Sequence, residues 1–393
     1  MDKAIEELRN ERIQNMVDAV SFKEPKKIPV GLEMSTWAFA YTGKTYKEVM
    51  HDPYLAAETY LKFLDDMEFD WFALGTGVPQ YLPLYEALEC KDYALAHDDT
   101  MIQHIQSAGQ YMSVEEYPML IEDPYGFSTE VMPRKNYKIF NGPKDKAYEA
   151  LKKAATGYKD FLIMNDLINK GCYADTGTLT HMGPYPGFNS SLTFVFDNLR
   201  GMVNTLGDIR RRPELLDAAC EAIAKMRYTP LPDIDTFVGN PFPWGSSVYH
   251  VECFLSPPLY DKYYFNDLKN TLTPYLEKGS KIFLKGEGQF LDTVERFREL
   301  PKGSVIMMLD QDDPFEVYKK IGDWQIITAG FSADLLKVGT LEQCKDYAKR
   351  CLDTFAPGGG FLFNNNKPLL GGKDTQPDKL RELVAYVNEI SRK

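Results

Sequence analysis

Eight short runs rich in apolar, β-branched and aromatic residues punctuate the chain: Ile28–Met34, Asp70–Gly75, Thr176–Met182, Ser247–Cys253, Lys281–Lys285, Ser304–Leu309, Gln325–Gly330 and Gly360–Asn364. Most are continuous apolar stretches rather than strict alternations, which is the pattern of parallel strands covered on both faces. Between them, apolar residues recur at helical spacing over Pro53–Met67, Lys146–Lys170, Pro257–Lys278, Pro314–Ile321, Leu341–Phe355 and Asp378–Arg392. Strands that alternate with helices imply a parallel sheet with crossover connections. Eight of them predict an α/β fold closed into a (β/α)8 TIM barrel over residues 1–393. An open doubly wound sheet is the main alternative, although no glycine-rich phosphate loop follows the first strand. Residues 76–175 are too many for one connection and predict an insertion of extra helices with a lid over the barrel mouth. Residues 1–27 predict an N-terminal helical extension.

The length of 393 residues fits two or three domains, or one barrel with insertions. Lys and Arg number 45 against 57 Asp and Glu, a net charge of −12. That balance argues against nucleic acid and against an anionic membrane as partners. The charged start MDKAIEELRNERIQNMVDAV has no apolar signal core. No apolar run approaches the ~18 residues of a transmembrane helix. The six cysteines are scattered without a CxxC pair, so the expectation is a cytoplasmic protein with reduced thiols. Aromatic residues make up 13% of the chain, which fits a lined pocket or simply a well-filled core.

In a barrel the reactive residues sit at the C-terminal ends of the strands. His250 and Glu252 lie two apart on the fourth predicted strand and so share a face. Glu287 follows the fifth strand, Asp310 ends the sixth, His181 ends the third, and Asn364 to Asn366 end the last. One imidazole and two carboxylates from neighbouring strands (His250, Glu252, Glu287) have the make-up of an open zinc site. They are equally the make-up of a hydrogen-bonded polar cluster, and no HExxH motif decides between the two. Cys253 reads as a buried small apolar residue. His51, His97 and His104 read as structural or surface residues. Asp312 and Asp313 read as helix caps. Gly358 to Gly360 resemble a phosphate loop but precede a strand rather than a helix.

Several segments in order resemble the uroporphyrinogen decarboxylase superfamily, which includes corrinoid-dependent methyltransferases. They are RIQNMVDAVSFKEPKKIPV, EEYPMLIEDPYGFSTEVMPR, LRGMVNTLGDIRRRPELLDAACEAI, FLSPPLYDKYYFNDLK, GDWQIITAGFSADLLKVGT and APGGGFLFN. The resemblance covers most of the chain and implies a (β/α)8 barrel. It also has departures. The arginine-rich segment of the true decarboxylases is replaced by GLEMSTWAFAYTG, and their late histidine by NNNKP, with Lys367 at about that place. A substrate with many carboxylates would need such cations. The coenzyme M methyltransferases of the family hold zinc with an H-x-C-G cysteine and a second in a PGCG-like segment. Here Glu287 stands at the first and Gly359 at the second.

The resemblance therefore implies the branch that demethylates aryl methyl ethers. There a harder zinc site, with His250, Glu252 and Glu287 as ligands, would polarise the ether oxygen. The methyl group would pass to a corrinoid. This chain has no cobalamin-binding D-x-H-x-x-G segment, so the corrinoid is expected on a separate protein. In that reading His250, Glu287 and Asp310 are catalytic. Trp37, His181, Tyr185, Phe331 and Asn364 bind the methoxylated aromatic, with Phe242 and Trp244 as further candidate rings. The alternatives are methyl transfer from a methylated corrinoid to a small acceptor, a decarboxylase of a less charged substrate, and a barrel that only binds a corrinoid. Oligomeric state is open.

Overall fold

The structure, a computed structural model, describes residues 3–74, 81–97, 101–104, 111–181, 187–226 and 241–392. It is a mixed α/β fold in which eight strands lie in two parallel sheets. The first sheet has the order β1-β2-β5, with β1 at Gly31–Met34, β2 at Trp71–Leu74 and β5 at Leu179–His181. The second contains β6 (Trp244–Tyr249), β7 (Lys281–Gly286), β8 (Val305–Leu309), β9 (Ile326–Phe331) and β10 (Phe361–Asn365), in the order β10-β9-β8-β7-β6. β3 (Tyr93–Leu95) and β4 (Ile102–His104) form a separate antiparallel pair.

The two sheets meet beside β1 and β10. Val30 bridges Phe363 in parallel, and the Phe363 N–H donates to Pro29 O at 3.0 Å. The side chain of Asn365 completes the seam. Its oxygen accepts from the Glu33 N–H at 2.8 Å, and its nitrogen donates to Glu33 O at 2.7 Å. At the opposite edges Gly187, in the connection that follows β5, bridges Ser246 of β6 in parallel.

Both faces of these strands are covered, which is why they read as unbroken apolar runs. Trp71, Ala73 and Leu179 of the first sheet pack in one cluster with Trp244, Phe283, Ile306, Met308, Ile326 and Leu362 of the second. The sheets therefore face one another across that cluster. The alternate residues, such as Phe72, Phe361 and Leu284, pack outward against the surrounding helices. Gly31 is required on the inner face, because the Trp71 indole lies 1.9 Å from where a Cβ would stand.

The N-terminal helix Lys3–Val20 places Met16, Ala19 and Val20 in the inner cluster. Asp70, next to the start of β2, ties this helix down. It accepts from Arg12 Nε at 3.1 Å, Lys27 Nζ at 2.6 Å and the Val30 N–H at 2.9 Å, and all the charged groups are buried. Gly358 to Gly360 sit at this same end. All three have positive φ, and a Cβ on Gly359 would fall 2.5 Å from Lys23 O. They form a tight turn against the N-terminal segment, at the end of β10 remote from the candidate site, so the phosphate-loop reading is corrected.

The described part of 76–175 holds a helix at Tyr81–Ala87, the β3–β4 hairpin, short helical turns and the long helix Lys144–Gly171. A second helical stretch within 187–226 joins it. Met112, Tyr117, Leu120 and Phe127 from the former pack with Leu192, Val195, Leu199 and Leu216 from the latter in their own apolar cluster. The helical cap is thus built from two connections, where the sequence pattern pointed to one. Among the described residues no helix is long and apolar enough to cross a membrane.

Candidate functional site

The predicted strand Ser247–Cys253 is displaced. β6 runs from Trp244 to Tyr249, and Val251–Phe254 is a single turn of 3-10 helix. The cause is local. Glu252 turns back to accept the His250 N–H at 2.5 Å, and Val251 is drawn into the apolar cluster of the cap. His250 and Glu252 therefore do not share a strand face.

His250 leaves the end of β6 towards the cap. Its Nδ1 lies 3.1 Å from Asp197 Oδ1, and its ring meets Phe196 edge-on at 5.0 Å. Asp197 sits in Val195–Arg200, a π-helical run, and such bulges are frequent at functional sites. The sequence reading missed Asp197, because VFDNLR looks like an ordinary helix face. Glu287 follows β7, and its N–H continues the ladder to Tyr249 O at 2.8 Å. Next to it, the missing Cβ of Gly288 makes room for Cys253, whose sulfur would lie 2.7 Å from such an atom.

The electrostatics of this row point one way. The bond to Asp197 raises the His250 pKa, against a lowering by burial, and the Glu287 and Glu252 charges add to the rise. Glu287 opens onto a cavity, yet the protein around it pushes its carboxyl above the usual range, while His250 and Lys285 pull it partly back. Both groups hold a proton to higher pH than they would in water.

Glu252 is turned away from this row and is 2% exposed. Its Oε1 accepts from the Thr193 hydroxyl at 2.6 Å. It fastens the helical segment Ser191–Phe194 to the turn after β6. Burial raises its pKa to about 7, against the lowering from Thr193 and the backbone. The native state thus keeps a proton that the unfolded chain gives up above about pH 4.5. Stability contributed this way falls as pH rises from there and is fully lost above about 7. Glu252→Gln is expected to remove that slope. Denaturant unfolding at pH 5 and pH 8 should give a difference about 3 kcal/mol smaller in the variant than in the parent. Equal differences in the two proteins would mean that the carboxylate is already ionised at pH 5.

Among the described residues, no three His, Cys, Asp or Glu side chains come together as a metal site. Of the three expected zinc ligands, His250 and Glu287 are electrostatic neighbours, and both oxygens of Glu252 are engaged elsewhere. An imidazole and one carboxylate fall short of the three protein ligands of a catalytic zinc site.

Asp310 follows β8 and lies 2.9 Å from Lys367. Across the mouth, Lys285 of β7 lies 2.5 Å from Glu33 of β1. These four residues, with Glu287 and Met308, help line a cavity of about 490 Å³. Asn366 pins its rim, accepting from the Ala333 N–H and donating to Asp310 O. Asn364 is fully buried in β10, its amide nitrogen 3.9 Å from the Met308 sulfur.

Four of the expected aromatic rings lie in packed, buried positions. Trp37 is 1% exposed, donates to Thr375 O at 3.2 Å and packs on Tyr41 and Phe63, in the layer outside the sheet. Phe331 also points outward, against Phe363 and Phe69. Phe242 and Trp244 pack on one another at the start of β6, away from the C-terminal strand ends. These rings are core. His181 ends β5 opposite Ala73, but its side chain, like Tyr185, lies outside the described residues. Asp313 caps the helix Pro314–Ile321, whereas Asp312 accepts from the Phe290 N–H. Cys253 is half-buried and donates to His250 O. His51 and His97 are exposed.

No protein-family model matches the chain, and no curated protein matches it by sequence. Its fold is similar to that of a methyltransferase from Methanosarcina mazei. The TM-score is 0.62 at 13% identity, over 96% of this chain and 98% of that one. At that identity the likeness is one of fold.

Proposed function

We propose that the chain is a methyltransferase that takes a methyl group from a methoxylated aromatic compound and passes it to a corrinoid on a separate protein. The observation that carries this reading is the row of Asp197 on the cap with His250 and Glu287 at the C-terminal ends of β6 and β7, beside the cavity. The fold shared with a methyltransferase supports the class of reaction. In this reading the two sheets are the arcs of a closed (β/α)8 barrel, which the Val30–Phe363 and Gly187–Ser246 bridges support.

In the reaction the bond between the methyl carbon and the aryl oxygen breaks, and the oxygen keeps the electron pair. A phenolate, with a conjugate acid near pKa ~10, is a poor leaving group unless it gains a proton. Glu287, whose carboxyl is raised above its usual range where the cavity meets the row, is the acid that gives a proton to that oxygen. His250, oriented by Asp197, stands beside Glu287 as its proton source and as positive charge against the developing oxyanion. Asp310 positions the Lys367 ammonium at the mouth. The corrinoid, when bound, supplies the nucleophile. Zinc, if it binds, has His250 Nε2 and Glu287 as candidate donors and needs a third from elsewhere, and no step above passes through it.

Anaerobic incubation of the protein with cob(I)alamin and 2-methoxyphenol tests the reading. The expected result is methylcobalamin and catechol in equal amounts, with formation dependent on the protein. No methylcobalamin with this or other methoxyarenes overturns it. Formation only in reverse, from methylcobalamin and a phenol, would place the chain among the methyl donors to small acceptors.

A further inference from the structure

The charge inventory of the cavity decides what kind of aromatic it can hold. Its lining contains three lysines, and each already faces a carboxylate of the same lining. Lys285 lies 2.5 Å from Glu33, Lys367 lies 2.9 Å from Asp310, and Lys337 lies 3.9 Å from Asp374. Two further carboxylates of the lining, Glu287 and Asp334, have no lysine in ion-pair contact among the described residues. Among the described residues no lysine of the lining is left over for a ligand carboxylate, and even with Glu287 protonated the walls carry an excess of acid, four carboxylates against three lysines. A carboxylate entering here would meet like charge in a partly desolvated space, which is strongly unfavourable.

A second observation concerns Glu33 itself. It is 0% exposed, one of its oxygens is held by Lys285, and the other has no hydrogen-bond partner among the described residues. A buried acceptor left unpaired carries a free-energy penalty, and a donor brought by a ligand relieves it. Resting on the methyl-transfer reading, we infer that the substrate is an uncharged methoxyarene bearing a ring hydroxyl, a methoxyphenol, and that methoxybenzoates are excluded.

Calorimetric titration of the full chain with 2-methoxyphenol, 1,2-dimethoxybenzene and 3,4-dimethoxybenzoate tests this without turnover. The expected order is methoxyphenol tightest and benzoate weakest, at least about tenfold below the phenol. Glu33→Gln leaves Lys285 without its carboxylate, so the benzoate should gain about tenfold and the phenol should lose its advantage over the dimethoxy compound. Asp334→Asn, on an exposed helix start, should also narrow the gap and serves if the buried variant fails to fold. Benzoate binding as tight as phenol binding overturns the inference, even with methyl transfer intact. Phenol binding of the expected order without methyl transfer would instead overturn the proposed reaction and leave the charge selection standing. Absence of binding by all three overturns both.

Discussion

Glu287→Gln is expected to slow methyl transfer by about 10²- to 10⁴-fold, the usual worth of a positioned proton donor. The amide keeps the size and the hydrogen-bonding atoms of the side chain but has no acid proton to give. Because Glu287 opens onto the cavity, its replacement should leave unfolding free energy within about 0.5 kcal/mol of the parent. The pH profile separates a proton donor from a mere contact. Desolvation by the protein around it raises the Glu287 pKa, although the side chain is exposed at the cavity, and the bond to Asp197 raises that of His250. The parent should therefore lose activity as pH rises past these raised values, because the proton-bearing forms disappear. The variant should keep only the His250 part of that limb. His250→Ala and the double variant should cost little more than the single change, since groups that act as one unit are not additive. An unchanged rate and pH profile in Glu287→Gln would remove this carboxyl from the mechanism. The same measurements bear on zinc. A metal content that stays at one per chain in both Glu287→Gln and His250→Ala would place any metal site elsewhere.

The contrast between what the chain disclosed and what it hid follows from the range of the interactions involved. Pro314–Ile321 and Leu341–Phe355 match the observed helices to the residue. Their limits are written locally, by the caps Asp313 and Thr340 and the proline after the first. Seven of the eight strands were located to within a few residues, because burial on both faces leaves a plain apolar run. The eighth went astray at His250. Its end is set by Glu252 folding back onto the chain and by a cap that arrives from residues 112–132 and 191–226, and neither influence shows in SVYHVEC. The same long-range cause hid Asp197, which reaches His250 across 53 positions. His250, Glu287 and Asp310 were findable because the ends of parallel strands are a stated place in the chain, and Lys367 through the resemblance at NNNKP. The partners were not, because Glu33 with Lys285 pairs residues 252 apart and nothing local to either marks the other. Aromatic residues misled for a related reason. Trp37 and Phe331 stand near strand ends, but a strand end has two faces, and their rings take the outer one.

Asp70→Ala is expected to cost about 3–5 kcal/mol of unfolding free energy, the usual consequence of leaving buried charge unpaired. The carboxylate is the point where three separate segments are joined. Arg12 comes from the N-terminal helix, Lys27 from the segment leading into β1, and the Val30 N–H from the residue just before it. Side-chain exposure is 8% for both cations and 5% for Asp70, so water cannot replace what the substitution removes. Truncating the acid strands two cations and one backbone donor, which is worse than losing any single bond. Arg12→Met in the parent removes only one of the cations, and Arg12 also donates to Thr176 O, so its own cost should be smaller but not negligible. If the cluster acts as a unit, Arg12→Met made on top of Asp70→Ala should cost less than in the parent, or even restore stability, because it removes one of the stranded charges. Urea unfolding of the four proteins gives that coupling directly. Additive costs would mean that Arg12 and Asp70 act apart, and that the helix Lys3–Val20 is held by Met16, Ala19 and Val20 alone. Coupling would show the N-terminal helix to be a fastened floor beneath the sheets, at the opposite strand ends from Glu287. Methyl transfer by Asp70→Ala, measured well below its lowered melting temperature, should then stay near the parent rate, since the two ends of the strands carry separate tasks.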